Sequence, residues 1–167
     1  MTYDARQVAN FFLDLADERG TPLTIMSLLK LLYYAHGWYL AEHNQPLINN
    51  RFEAWENGPV VRVVYRQFRD NGAMPIQNRA FFFDPVNRQK ETAQHDFSNE
   101  VTSFLAAIFE EYAQHHAFTL SDMTHESGGP WDKAWNDKSG TVNPGMVISN
   151  EDIKQYFRRR ASSSPAH

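Results

Sequence analysis

Cysteine is absent from this chain of 167 residues, and the absence removes several classes of protein from consideration. Without a thiol, the chain can form no disulfide framework, no cysteine-ligated zinc finger and no thiol nucleophile. The first residues, MTYDARQ, also lack the cationic and apolar regions of a secretory signal peptide. Both observations fit a reducing compartment, and we expect a cytoplasmic protein.

Long hydrophobic runs and an excess of positive charge are missing as well. The most apolar stretch, LLKLLYYAHGWYLA, is interrupted by Lys30 and His36 and is too short to span a membrane, so no membrane partner is expected. The formal net charge is −4. This value argues against nucleic-acid binding, because a basic surface is normally needed to displace counterions.

Familiar catalytic motifs are missing too. The sequence has no glycine-rich phosphate loop of the G-x-x-x-x-G-K or G-x-G-x-x-G type, and no G-x-S-x-G serine elbow. We therefore predict a protein that is not an enzyme and that needs no cofactor or metal.

Aromatic residues are plentiful: the chain contains 12 Phe, 7 Tyr and 4 Trp, and 42% of its residues are hydrophobic. A chain of this length and composition can bury a core without help from metals or disulfides. We predict a single domain over residues 1–160. The last residues, ASSSPAH (161–167), are predicted to be a disordered tail.

Helical spacing of apolar residues is the dominant pattern, and it predicts a mainly α, compact domain of several helices. Asp4 and Gln7 form a capping-box pair before the first helix. A second helix, from Thr24 to Glu42, is apolar around most of its circumference and is predicted to be central. Gly37 within it suggests close approach by another element. Further helices are predicted from Pro59, Ser98, Thr119, Pro130 and Ser149.

A small antiparallel β element is predicted between the second and fourth helices. Residues 51–56, RFEAWE, read as a short strand, and residues 80–84, AFFFD, could pair with it as an edge strand. Asn57-Gly58-Pro59 is predicted to form a sharp turn that places Pro59 at the first position of the third helix. Residues 87–96, NRQKETAQHD, are expected to be a solvated loop.

His125 and Glu126 begin like a zinc-protease helix, but the pattern stops there. The second histidine should follow one turn later, where this chain has Gly129 and then Pro130. His115 and the histidine after it point about 100° apart on a helix and cannot chelate one ion. We expect the His125 imidazole to hydrogen-bond a buried backbone group. A small metal-dependent hydrolase that uses His125 and Glu126 is kept as an alternative.

Arg62, Arg66 and Arg69 follow each other at i, i+4 and i+7 and therefore share a helix face. Such a face is either solvated and paired with carboxylates, or a patch for an acidic partner surface. Trp38 and Tyr39 are added as partner-binding anchors if either side chain is exposed, because aromatic residues and Arg dominate interface energies.

Three segments together resemble a known family: KLLYYAHGWYLA (30–41), FEAWENGPVVRVVYRQF (52–68) and LSDMTHESGGPWDKAW (120–135). In this order they are similar to the Panacea domain of the SocA-like antitoxins, which include phage-associated proteins. The resemblance implies a mostly helical domain with a small β element and no known catalytic residues. Family-motif residues expected to be structural are Tyr34, Trp55, Gly58, Pro59, Thr124, His125, Pro130 and Trp131.

The resemblance implies an antitoxin of a type II-like toxin–antitoxin system, which neutralises a protein toxin encoded nearby by direct binding. One family member instead acts as an adaptor that delivers its toxin to the ClpXP protease, and this is kept as a second alternative. His36 departs from the family, which often has Gln there, and its role is left open. Homodimer formation is also left open.

Overall fold

The protein is mainly α-helical, as the sequence predicts, in a computed structural model that describes residues 1–137 and 143–163. The helices are α1 (Ala5–Arg19), α2 (Ile25–His43), α3 (Arg62–Phe68), α4 (Asn99–Tyr112), α5 (Ala117–Thr124), α6 (Pro130–Trp135) and α7 (Asn150–Ser163). The strands are β1 (Phe52–Trp55), β2 (Gly58–Val60), β3 (Phe81–Asp84), β4 (Gln89–Thr92) and β5 (Val147–Ile148). None of the helices in these ranges is long and apolar enough to cross a membrane.

Side-chain caps start α1 and α2 where the sequence predicts these helices. At α1, the Asp4 carboxylate accepts from the Arg6 backbone N–H at 2.9 Å, and the Gln7 side chain accepts from the Asp4 N–H at 3.1 Å. Thr24 caps α2 in the same way, through a hydrogen bond of 3.3 Å from the Ser27 N–H. These caps satisfy backbone donors that a helix cannot pair internally.

The centre of the fold is α2, which is buried around most of its circumference. Gly37 in this helix confirms the predicted close approach, because a Cβ there would lie 2.1 Å from the ring of Phe157 in α7. The Phe157 side chain is itself fully buried. A residue without a side chain is therefore what allows α7 to pack directly against α2.

The β elements differ from the prediction. Strand β1 is the middle of a three-stranded antiparallel sheet in the order β2-β1-β5, and β3 pairs with β4 in a separate hairpin. The predicted pairing of residues 51–56 with 80–84 is therefore wrong. The solvated loop predicted over residues 87–96 is also wrong in part, because Gln89–Thr92 form strand β4. That strand is exposed throughout, so no alternation of apolar residues marks it. Asn10 anchors the hairpin base by donating to the carbonyls of Ala80 and Ala93.

Pro59 lies in β2 and does not begin a helix, which corrects a second prediction. It stands opposite Ala54 in the antiparallel register, and α3 begins three residues later at Arg62. The turn of the β1–β2 hairpin is formed by Glu56-Asn57. Gly58 follows the turn with a φ of 120°, a conformation that favours glycine. The hairpin uses the residues that the sequence pattern assigned to a helix start.

The last helix runs further than predicted. α7 continues to Ser163, where the Ser163 Oγ donates to the Arg160 carbonyl at 3.1 Å. The helix therefore passes the predicted domain boundary at residue 160, and the division into a domain and a disordered tail stays a prediction. The remaining part of the predicted tail, residues 164–167, lies outside the described residues.

Candidate functional site

The corner between α5 and α6 ties the family-motif residues to the β1–β2 hairpin. The Thr124 Oγ1 donates to the Ser121 carbonyl at 2.6 Å, and the Ser121 Oγ donates to the Asn57 carbonyl in the hairpin turn. The Trp131 Nε1 donates to the Trp55 carbonyl at 2.7 Å. Two helices are therefore fixed to one hairpin by side-chain hydrogen bonds to its backbone.

His125 sits at this corner without the hydrogen bond that we expected from the sequence. Its ring stacks on Trp131 with centroids 3.9 Å apart, and its Nε2 atom is buried without a partner among the described residues. The prediction of a bond to a buried backbone group is therefore wrong. Burial lowers the pKa of His125, and the positive charge of Lys30 lowers it further.

Glu126 turns away from the neighbouring imidazole. Its Oε2 accepts from the Tyr156 hydroxyl and lies 3.4 Å from an Arg160 guanidinium nitrogen, both in α7. Within residues 1–137 and 143–163, no three His, Asp or Glu side chains are placed to hold a metal ion. The described part of the chain thus offers no ligand set for the hydrolase alternative.

Lys30 is the least conventional group at the corner. Its side chain is 1% exposed, and the Nζ atom donates to the Pro59 carbonyl at 3.4 Å. Burial lowers the pKa of this lysine to about 8. Gly58 makes room for it, because a Cβ there would lie 2.6 Å from the Lys30 Cε and 2.8 Å from the Thr124 Oγ1.

A pocket of about 240 Å³ opens between the start of α2 and the hairpin turn, and Lys30 forms part of its wall. We call it the lysine pocket. The other lining residues are Ile25, Met26, Leu29, Trp55, Glu56, Asn57, Val60 and Tyr65. Most of these side chains are apolar, and Trp55 and Tyr65 meet edge to face with centroids 4.9 Å apart. The pocket therefore presents one buried cation within an apolar lining.

A second concave region, which we call the tyrosine groove, lies between α2, α4, α5 and α7. It consists of a cleft of about 710 Å³ and a neighbouring one of about 330 Å³, which share Tyr112, Met123 and Arg160. Tyr34 and Tyr112 stack along it with centroids 4.2 Å apart. The rim carries more carboxylates than cations, with Glu42, Glu111, Asp122 and Glu126 against Arg160.

The structure separates the predicted partner-binding residues into different environments. Arg62 is exposed but paired with Glu53 at 2.8 Å. Arg66 and Arg69 are exposed, with no ion-pair partner among the described residues. Trp38 does not meet the condition of exposure, because it is 6% exposed and its Nε1 donates to the Tyr112 hydroxyl. Tyr39 is half-buried against His43 and Phe104.

Comparison with known proteins identifies the family of this chain. The family described as "Antitoxin SocA-like, Panacea domain" matches residues 28–132. The chain belongs to this family. It is also similar to Antitoxin SocA of Caulobacter vibrioides (strain NA1000 / CB15N), at 37% identity over 155 residues, which cover 93% of this chain and 82% of that protein. No solved structure matches the chain.

The Panacea match begins within α2 and ends within α6, so it contains Lys30 and the whole corner. Sequence reasoning treated Lys30 only as an interruption of an apolar run. A lysine in the middle of a helix that is apolar around most of its circumference was the signal that could have found it. Tyr156 and Arg160 were missed as groove residues, and no local pattern signals their contact with Glu126, which lies thirty residues or more earlier.

Proposed function

We propose that this protein is an antitoxin that neutralises a cognate protein toxin by binding it directly. The observation that carries the proposal is membership of the SocA-like antitoxin family, supported by the relative named Antitoxin SocA. The absence of cysteine fits action in a reducing cytoplasm, where a toxin of the same cell would be met.

The shape of the molecule is compatible with direct binding. A stable protein–protein interface buries about 1,200–2,000 Å² and depends on a few aromatic or Arg anchors. The exposed face with Arg66 and Arg69 offers cations to an acidic surface, and the tyrosine groove offers aromatic side chains within a rim rich in carboxylates. Charge decides which kind of partner surface each one suits.

The test is co-expression with the protein encoded by the adjacent open reading frame. If the neighbour arrests growth and this protein restores it, the antitoxin role is supported, and purified proteins should then form a stoichiometric complex. If the neighbour is harmless, or if its toxicity is unchanged, the proposal fails for this member of the family.

The lifetime of the toxin distinguishes neutralisation by binding from delivery to a protease. Direct neutralisation leaves the half-life of the toxin unchanged when this protein is co-expressed. An adaptor shortens that half-life, and deletion of ClpXP then abolishes the rescue. A stable complex with an unaltered toxin half-life supports our proposal, and a shortened half-life contradicts it in favour of the adaptor.

A further inference from the structure

The lysine pocket contains a cation whose hydrogen-bonding capacity is largely unused. An ammonium group has three N–H donors. Among the residues that the structure describes, Lys30 makes one hydrogen bond, to the Pro59 carbonyl at 3.4 Å, which is longer than usual. Buried charges in proteins are normally paired and hydrogen-bonded, because an uncompensated one is costly. A nearly complete burial with one long bond therefore needs an explanation.

The surroundings of Lys30 are arranged to keep this cation in place. Gly58 leaves the space that the Lys30 Cε and the Thr124 hydroxyl occupy, and its φ of 120° is held by the hairpin. The hairpin is in turn fixed by Ser121 and Trp131 through its backbone carbonyls. Family-motif residues therefore surround this lysine: Gly58 and Thr124 lie against its side chain, and Pro59 accepts its hydrogen bond.

We propose that the lysine pocket binds a carboxylate, supplied by an acidic side chain of the protein partner and paired with the ammonium of Lys30. A carboxylate carries one negative charge and accepts several hydrogen bonds, so it matches a single ammonium with unused donors. The apolar lining from Met26, Leu29 and Trp55 suits the methylene stem of Asp or Glu. The partner as the source of the carboxylate rests on the proposed antitoxin function.

Other anions match the pocket less well. A phosphate is usually held by Arg forks or by several backbone N–H groups, and this pocket offers one ammonium and has the carboxylate of Glu56 at its exposed edge. Nucleic acid would also have to approach a chain of net charge −4. Glu56 itself is exposed and makes no ion pair with Lys30, so the one carboxylate in the pocket lining does not neutralise the ammonium.

The first experiment follows Lys30 itself by NMR of the full-length protein with isotope-labelled lysine. A carboxylate that pairs with the ammonium must raise the pKa of Lys30, because it favours the charged form. Acetate is the small probe, compared with chloride at the same ionic strength, and the neighbouring toxin is the protein probe. His125 is a second reporter, because its pKa is lowered by the charge of Lys30 and should rise when that charge is neutralised.

The second experiment measures toxin affinity with Lys30→Met, which keeps the length and apolar stem of the side chain. Loss of one partner of a buried charge pair predicts a weakening of about tenfold or more. Lys133→Met is the matched control, because it removes the same charge from an exposed position in α6 and should leave affinity unchanged. The far-ultraviolet circular dichroism and unfolding of both variants verify that they fold.

The outcomes separate this inference from the proposed function. A rise in the Lys30 pKa with toxin, together with weak binding by Lys30→Met, supports it. If acetate raises the pKa of Lys30 but bound toxin does not, the partner protein is not the source of the carboxylate, and the pocket is assigned to a small carboxylate instead. If neither probe raises the pKa of Lys30, the inference is overturned. If chloride raises this pKa as much as acetate does, the pocket binds an adventitious ion only, and the inference is overturned as well. If the neighbour does not bind the wild-type protein at all, the proposed function fails, while the acetate measurement still decides whether a carboxylate site exists.

Discussion

Two buried titratable side chains lie six residues apart on α2, and the fold treats them differently. His36 is 0% exposed and Lys30 is 1% exposed. His36 uses both ring nitrogens: Nδ1 accepts from the Ile48 N–H at 3.2 Å, and Nε2 lies 2.8 Å from the Asn150 side-chain oxygen. Lys30 has one long hydrogen bond.

The difference indicates what each residue contributes. A buried polar group whose donors and acceptors are all paired supports a unique core, and His36 joins α2 to the chain before β1 and to the start of α7. A buried group with unused capacity costs stability, and such costs concentrate at functional sites. We therefore read His36 as structural, which answers the question left open by its departure from the family, and Lys30 as the functional group.

The largest effect is expected from His36→Ala, which should lower the free energy of unfolding by about 3 kcal/mol. The substitution leaves a cavity and removes the hydrogen-bond partner of two polar groups. His36→Gln should lower the free energy of unfolding much less, since a glutamine amide can accept from the Ile48 N–H and donate to the Asn150 side-chain oxygen. Urea unfolding at neutral pH measures both. Equal losses for Ala and Gln would show that packing, and not the two hydrogen bonds, is what His36 supplies.

Acid should destabilise the protein through the same residue. Burial lowers the pKa of His36 to about 4. Between this value and the usual one near 6.5, the unfolded chain binds a proton that the folded chain does not, so stability falls as the pH is lowered through that window. The loss should approach about 3 kcal/mol near pH 4. The difference in unfolding free energy between wild type and His36→Gln should narrow over the same window, and a constant difference would contradict the assignment.

Lys30→Met should act in the opposite direction and stabilise the isolated protein by about 1–3 kcal/mol at neutral pH, because a poorly compensated buried charge is replaced by an apolar side chain. The folded-state pKa of about 8 lies below the ordinary lysine value. Wild-type stability should therefore rise between about pH 8 and 10.5 relative to Lys30→Met, since the unfolded chain holds the proton there. Destabilisation by Lys30→Met at every pH would show that the ammonium is fully paired.

The smallest effect on stability is expected from Arg66→Glu with Arg69→Glu, within about 0.5 kcal/mol, because both side chains are exposed without ion pairs among the described residues. If the toxin contacts this face, affinity and on-rate should both fall, and the loss should grow at low salt. Lys133→Glu with Arg159→Glu reverses the same amount of charge elsewhere and is the control. Equal losses for the two pairs would indicate a general charge effect.

The accuracy of the sequence-based predictions follows the range of the interactions involved. Asp4, Thr24 and Ser98 act on backbone groups two or three residues away. Asp4 and Ser98 were predicted as caps, and Thr24 was predicted as the start of the second helix. The hairpin of β3 and β4 was not predicted, since the Asn10 side chain that anchors it lies some seventy residues earlier in the chain. The role of Pro59 was misjudged because proline suits both a first helical turn and a short strand edge.

The candidate site shows the same division. The resemblance selected the segments that meet at the α5–α6 corner, and the structure brings Trp55, Thr124 and Trp131 together there. The unpartnered His125 Nε2 could not be foreseen, because whether a buried nitrogen finds an acceptor depends on the position of every surrounding element.

What the sequence alone determined is the helical character, the starts of α1, α2 and α4, the buried centre at α2 and the family, because each depends on residue spacing along the chain. Only the tertiary structure decided the fates of His36 and Lys30, which both interrupt the apolar sequence of α2. Hydrogen-bond partners for His36 come from Ile48 and Asn150, whereas Lys30 has one hydrogen-bond partner, Pro59, within residues 1–137 and 143–163. The packed neighbours decide whether a buried polar group finds all its hydrogen-bond partners, and local sequence does not encode this.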